Sequence, residues 1–171
     1  MQYRHLTDFE RIQLFNNYYD LYYLHRVPGL AIVQYDNLPD WKSKQQLISP
    51  ERIIKTLWFQ DRSGLAYGAC LPMLEKLDLD KFKKAIGVHI YTPLELALKL
   101  PKYQKKGTCA PFVADADHHI KKVVFHQELS KEWLDFGFPS EPNLSIMTPL
   151  ESILDALDHK FPRMFKQSPI I

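Results

Sequence analysis

The sequence predicts an α+β (or α/β) fold: one globular domain over residues 1–171, with a small mixed sheet of about 4–6 strands and about 5–6 helices. Three observations lead there. A strand-into-helix pattern occurs twice. Gly87-Val88-His89-Ile90-Tyr91 runs into Thr92-Pro93-Leu94-Glu95, and Asn143-Leu144-Ser145-Ile146-Met147 runs into Thr148-Pro149-Leu150-Glu151. In each, threonine is read as an N-cap, proline as the first helical residue, where a missing N–H costs nothing, and glutamate as the partner that closes a capping box. Next, residues 109–114 and 120–127 read as two strands joined by a five-residue connection, Asp115 to His119. Such a hairpin argues against a purely parallel sheet. Finally, the composition is that of a folded core, with 46% hydrophobic, 13% aromatic and 25% charged residues.

Taken in order, Thr7-Asp8-Phe9-Glu10 forms a capping box that opens an aromatic helix over about residues 8–24. Phe9, Ile12, Phe15, Tyr19 and Tyr22 follow the helical period, and Leu14, Tyr18 and Tyr23 widen the stripe. Pro28-Gly29 ends it. Residues 30–35 read as a strand and the polar stretch 36–46 as a loop. Ser49-Pro50-Glu51 is expected to start a helix that buries Ile53, Ile54, Leu57 and Trp58. Residues 65–71, with Gly68 among small neighbours, fit either a strand or a packed helical turn. Pro72 opens a short helical piece. Asp78 caps a helix over 79–86, and Gly87 stops it. The helix of the first repeated unit covers about 93–100. Ser130 is expected to cap a helix over 131–136, and Pro162 to stop the last one. The final nine residues, from about 163, read as a tail.

Several classes are set aside. No apolar run is long enough to span a bilayer, and Met1-Gln2-Tyr3-Arg4-His5 lacks the apolar region of a secretory signal, so the expectation is a cytoplasmic protein with no membrane partner. The two cysteines, Cys70 and Cys109, are then expected as reduced thiols. The six glycines form no phosphate-binding loop, and no cofactor is indicated. Charge is segregated. Residues 81–122 carry nine lysines against three acids, and residues 123–158 carry one lysine against seven acids.

Three functional readings follow. The leading one is an accessory protein that binds another protein, as an inhibitor or adaptor. Its candidate contact residues are Tyr18, Tyr19, Tyr22 and Tyr23, since tyrosine brings a large apolar body with a polar tip to an interface. The second is a small hydrolase or transferase. Cys109 would be the nucleophile, with His119 or His126 as its base, or Asp117, His118 and His119 would hold a metal. Adjacent His118 and His119 point to opposite faces of a strand, so a shared ion needs a turn there. The third is non-specific nucleic-acid binding through the lysine-rich 99–106 segment, with Lys102, Tyr103, Lys105 and Lys106 on the phosphates. All nine basic residues of the middle segment are lysines, which lack the forked geometry that reads base edges.

Overall fold

Nine strands form one mixed sheet in the computed structural model of the chain, which describes residues 2–90, 92–93, 100–105, 107–114 and 117–171. The strands are β1 (Tyr3–His5), β2 (Ala31–Tyr35), β3 (Ile53–Gln60), β4 (Ala66–Pro72), β5 (Thr92–Pro93), β6 (Ile120–His126), β7 (Trp133–Phe138), β8 (Glu141–Pro149) and β9 (Phe165–Ser168). Eight of them lie in the order β1-β2-β8-β7-β3-β4-β6-β9, and β5 pairs with the far end of β3. β3–β7, β4–β6 and β6–β9 are parallel and the other pairs antiparallel. The α-helices are α1 (Asp8–Asn17), α2 (Trp41–Gln45), α3 (Leu79–Ile86) and α4 (Leu150–Lys160), with 3-10 helices at Tyr19–Arg26 and Pro50–Arg52. The mixed α+β class holds, and the sheet is larger than the sequence predicted.

Three segments expected as helix or tail are strands. Ile53, Ile54, Leu57 and Trp58 belong to β3, which is apolar on both faces because both are covered. A short apolar run of that kind has no period that separates helix from strand, and its β-branched and aromatic residues fit a pleated surface. Trp133, Leu134 and Phe136 form β7 for the same reason. The final residues form β9, which pairs with β6 and sends Ile170, fully buried, into the core.

Residues 109–114 form no strand, so the predicted hairpin is absent, and β6 finds parallel partners in β4 and β9 instead. Residues 87–90 are irregular, with His89 exposed. The 36–46 loop contains α2, and 73–77 is a turn and extended connection.

Two of the expected caps form and others do not. Thr7 accepts from the Glu10 N–H, and the Glu10 carboxylate accepts from the Thr7 N–H, as the sequence predicts. Asp78 caps α3, and Gly87 ends it in the left-handed region. Thr148, in contrast, is the penultimate residue of β8. Pro149 is the N-cap of α4, and the Thr148 hydroxyl donates to the Pro149 carbonyl. Thr92 and Pro93, expected as the cap and first residue of a helix, form β5 against β3 instead, and residues 94–99 of that expected helix lie outside those described.

The sheet has two covered faces. On one, Phe15, Leu21 and Leu24 from the N-terminal segment join Ile153 and Leu157 of α4 over Trp58, Phe125, Phe136 and Ile146. The other carries two separate apolar patches. Val33, Tyr35, Ile48, Ile53 and Met147 form the first. Phe59, Tyr67, Phe82, Val124 and Ile170 form the second.

Candidate functional site

Strand alternation sends Ile53, Lys55, Leu57 and Phe59 to the same face of β3. Ile53 sits in the first patch and Phe59 in the second, so Lys55 stands between them. The connection from β4 to α3 crosses this gap. The Met73 N–H donates to the Ile53 carbonyl at 2.8 Å, Met73 packs on the first patch and Leu77 on the second. Between those two residues, the Glu75 carbonyl accepts from Lys55 Nζ at 2.5 Å. Burial pushes the Lys55 amine below the ordinary lysine value, and the Glu75 carboxylate partly restores it.

His126 ends β6 on the face that also carries Val124. Its Nδ1 accepts from the Ile170 N–H at 3.2 Å, so the proton of the neutral ring lies on Nε2. Burial lowers its pKa, Glu128 and Glu75 act in the opposite sense, and Lys81 adds to the lowering. Glu75 therefore acts electrostatically on both Lys55 and His126.

A second polar set lies on the same face beside the first patch. Lys44 reaches down from α2 and donates to Asp135 Oδ2 at 3.1 Å and to Ser145 Oγ at 3.0 Å. The Tyr35 hydroxyl also donates to Ser145 Oγ, at 3.1 Å, and the Tyr35 ring centre lies 5.3 Å from Lys44 Nζ. Asp135 has no exposed surface, and its Oδ1 is buried without a hydrogen-bond partner. Burial, followed by the Asp135 charge, pushes the Tyr35 phenol upward.

The residues singled out from sequence are dispersed. Cys109 is partly exposed, and its Sγ donates to the Lys105 carbonyl at 3.3 Å. His126 lies with Ile170 and the Glu75 charge. His119 Nδ1 is 3.9 Å from Asp117 Oδ1, with its buried Nε2 unpaired. Asp117, raised by burial, also accepts from the Lys102 N–H at 2.8 Å. His118 is exposed. Among the described residues, no group of three or more histidines, cysteines or carboxylates is placed to hold a metal ion.

The aromatic helix divides at Tyr18, whose φ of −130° and ψ of 53° leave the helical region. There the Tyr18 hydroxyl donates to Glu141 Oε1 at 2.5 Å and its ring meets Phe138 and Tyr103 edge-on. Burial, then Glu141, raises the Tyr18 phenol. The predicted apolar stripe is largely exposed: Phe9 at 69%, Ile12 at 42% and Tyr19 at 67%. Tyr19, Tyr22 and Tyr23 line a groove of about 1090 Å³ against Glu151, Asp155 and Lys160 of α4. The Tyr23 hydroxyl donates to the Val113 carbonyl at 3.1 Å. Lys102 is engaged within the chain. It is paired with Asp20, which raises its pKa, and lies 4.9 Å from the Tyr19 ring centre and 5.0 Å from that of Tyr103. Lys105 is exposed, and Lys106 lies outside the described residues.

Sequence reasoning missed Lys44, Lys55, Glu75 and Asp135. For two of them a signal was present. Lys55 and Asp135 each interrupt an apolar run with a single charge, which is a mark of a group held at a covered surface for a reason.

No family model and no curated protein matches the chain. Solved structures do resemble it. A crystal structure of a candidate trans-editing enzyme for prolyl-tRNA synthetase superposes with a TM-score of 0.68 at 15% identity, covering 96% of this chain and 98% of its own. A scaffold protein from an epitope-grafting design study gives a TM-score of 0.66 at 14% identity, over 89% and 94%. A hypothetical protein gives 0.62 at 17% identity, over 75% and 85%. At these identities the likeness establishes the fold.

Proposed function

We propose that this chain is a hydrolase that cleaves the ester of an aminoacyl-tRNA-type substrate, with Lys55 as the group that meets the reacting carbonyl oxygen. The observation that carries the reading is the position of Lys55: a half-buried amine on a central strand, held between two apolar patches, with the Glu75 charge acting on it. The end-to-end likeness to a candidate trans-editing enzyme supports the choice of substrate class.

In this reading water adds to the carbonyl carbon of the ester. The bond from that carbon to the ribose oxygen breaks, and the ribose oxygen leaves with a proton as a hydroxyl. Lys55 N–H groups offset the negative charge that grows on the carbonyl oxygen. A fixed donor in a partly water-free site is worth more than one in bulk water. His126 is a donor through Nε2 while Ile170 occupies Nδ1, so its contribution is to orient rather than to take up a proton. The Glu75 charge favours the protonated Lys55 amine against the effect of burial.

The test is release of amino acid from correctly and incorrectly charged tRNAs by the purified chain. Lys55→Ala is expected to lower kcat/KM about 100-fold or more, the scale of a lost oxyanion donor. Equal turnover by the unsubstituted chain and Lys55→Ala would overturn the assignment.

A second reading keeps the accessory, protein-binding role. Exposed Phe9, Ile12 and Tyr19, with the tyrosine-lined groove beside α4, support it, because large apolar side chains left bare together mark contact surfaces. It predicts that Tyr19→Ala with Tyr22→Ala weakens a complex seen by light scattering while ester hydrolysis is unchanged. An unaltered complex would remove it.

A further inference from the structure

Asp135, Ser145 and Tyr35 form three walls of a small cage, and each wall belongs to the sheet: β7, β8 and β2. The cage offers a buried carboxylate, a buried hydroxyl and the face of an aromatic ring. That is the set of groups that recognises an ammonium ion, through charge-assisted hydrogen bonds and a cation–π contact. The cation now inside it is the chain's own Lys44.

Two features distinguish this from an ordinary buried ion pair. The first is a surplus acceptor. Lys44 Nζ satisfies Asp135 Oδ2 and Ser145 Oγ, yet Asp135 Oδ1 stays buried with no partner. A buried carboxylate oxygen left unmatched is costly, and here the cage holds one more acceptor than its occupant uses. The second is the unequal footing of the partners. The acceptors sit on three adjacent strands of the sheet. The donor hangs from α2, a five-residue helix fixed by the Asp40 cap and by Ile48. A helix that short has little stability of its own, and such elements open first.

We infer that the Asp135–Ser145–Tyr35 cage is a binding site for a small primary ammonium compound, and that Lys44 is a tethered plug which the ligand displaces as α2 lifts. Lys44 has a third N–H of its own, but a free ammonium, not tethered to α2, can turn that donor to Asp135 Oδ1. Lys44 lowers the apparent affinity by occupying the site, and its removal raises it, as for any competitor built into the receptor. Asp135 is the β7 partner of Ile53, two residues before Lys55 on the same face, about 7 Å along the strand. An amino-acid derivative held by its ammonium group would extend toward Lys55. The inference stands on the cage itself and holds whether or not Lys55 supports hydrolysis.

The experiment uses the full chain and alaninamide, a primary ammonium compound with no ester to cleave. Lactamide, its neutral hydroxy counterpart, is the control. Hydrogen exchange of the residue 41–45 amides is followed by mass spectrometry. Alaninamide is expected to speed exchange there at least tenfold, saturably, while lactamide leaves it unchanged. Calorimetry of Lys44→Met is expected to show alaninamide binding at least tenfold tighter than to the unsubstituted chain. Asp135→Asn is expected to abolish it. Exchange that ignores alaninamide, or that responds equally to lactamide, overturns the proposal. That result is read on the unsubstituted protein, so it decides the matter even if Lys44→Met fails to fold. Loss of hydrolysis in Lys55→Ala with alaninamide binding intact separates this site from the proposed chemistry.

Discussion

The Trp58 ring covers the backbone of Gly68, its register partner across β3 and β4: a Cβ placed on Gly68 would lie 3.0 Å from Cζ3 of that ring and 3.2 Å from Cη2. Trp58 is 1% exposed and packs at the centre of the larger core, so it has no empty space to retreat into. The absence of a side chain at residue 68 is what lets the ring lie there.

Gly68→Ala is therefore expected to destabilise the fold by about 1–3 kcal/mol, the usual cost of overpacking a filled core. Urea unfolding followed by tryptophan fluorescence measures it. A midpoint equal to that of the unsubstituted chain would show that the ring can shift freely.

The Thr7–Glu10 capping box makes stability depend on acid. The Glu10 carboxyl is held at about 2, chiefly by its hydrogen bonds to Arg4 and to the Thr7 N–H. Its folded value lies below the ordinary 4.5, so its contribution is complete above pH 4.5 and is lost as pH falls toward 2. Glu10→Gln is expected to unfold at a lower urea concentration than the unsubstituted chain at pH 6, with the gap narrower at pH 3. A gap as wide at pH 3 as at pH 6 would mean that charge is not its source.

Ile170 ties the end of β9 to His126. Its side chain has no exposed surface, its N–H donates to His126 Nδ1, and its carbonyl accepts from the Asp78 N–H. Ile170→Ala should cost about 2–5 kcal/mol. Burial places the folded His126 pKa below 6.5, so its protonation opposes folding. Stability is full above 6.5 and declines as pH falls below that value. In Ile170→Ala the ring gains water, and an imidazole proton titration by NMR should show its pKa rise toward 6.5. A fixed pKa in this variant would remove burial by Ile170 as the cause.

The two thiols are expected to differ in reactivity. Burial pushes Cys70 up to about 12, against a smaller opposite effect of the Thr56 hydroxyl 3.5 Å away. Cys109 is partly exposed. Iodoacetamide at pH 8 should label Cys109 in the native protein and Cys70 only after unfolding, as read by peptide mass spectrometry. Native labelling of Cys70 at a comparable rate would contradict its burial.

What could be read from the sequence was local. The Thr7–Glu10 box, the Asp78 cap and the Gly87 stop are each made within four residues of chain, so the pattern and the structure coincide. The β2 and β8 strands were legible because turn or irregular residues bound them. β3 and β7 were not, because a strand covered on both faces loses its alternation and reads as a helix face. β9 was not, because Phe165–Ser168 carries little apolar signal and is fixed by its pairing with β6. The polar groups on the sheet were hidden for a related reason. Lys44 and Asp135 are 91 residues apart, as are neither the motifs nor the spacings that a linear search examines. Of the histidines and cysteines that looked conspicuous, His126 shares with Lys55 the influence of the Glu75 charge.

The strand order also sets how the polypeptide reaches this state. Ala31 pairs with Met147 and Ile53 with Asp135, so the middle of the sheet joins stretches from opposite halves of the chain. Large loops must be closed before those pairings repay the lost freedom, which places refolding on the order of milliseconds to seconds. Until β7 and β8 arrive, the long apolar edges of β2 and β3 stand bare to the solvent. Dilute protein and low temperature should then favour renaturation over aggregation, because crowding such edges together joins molecules instead of strands.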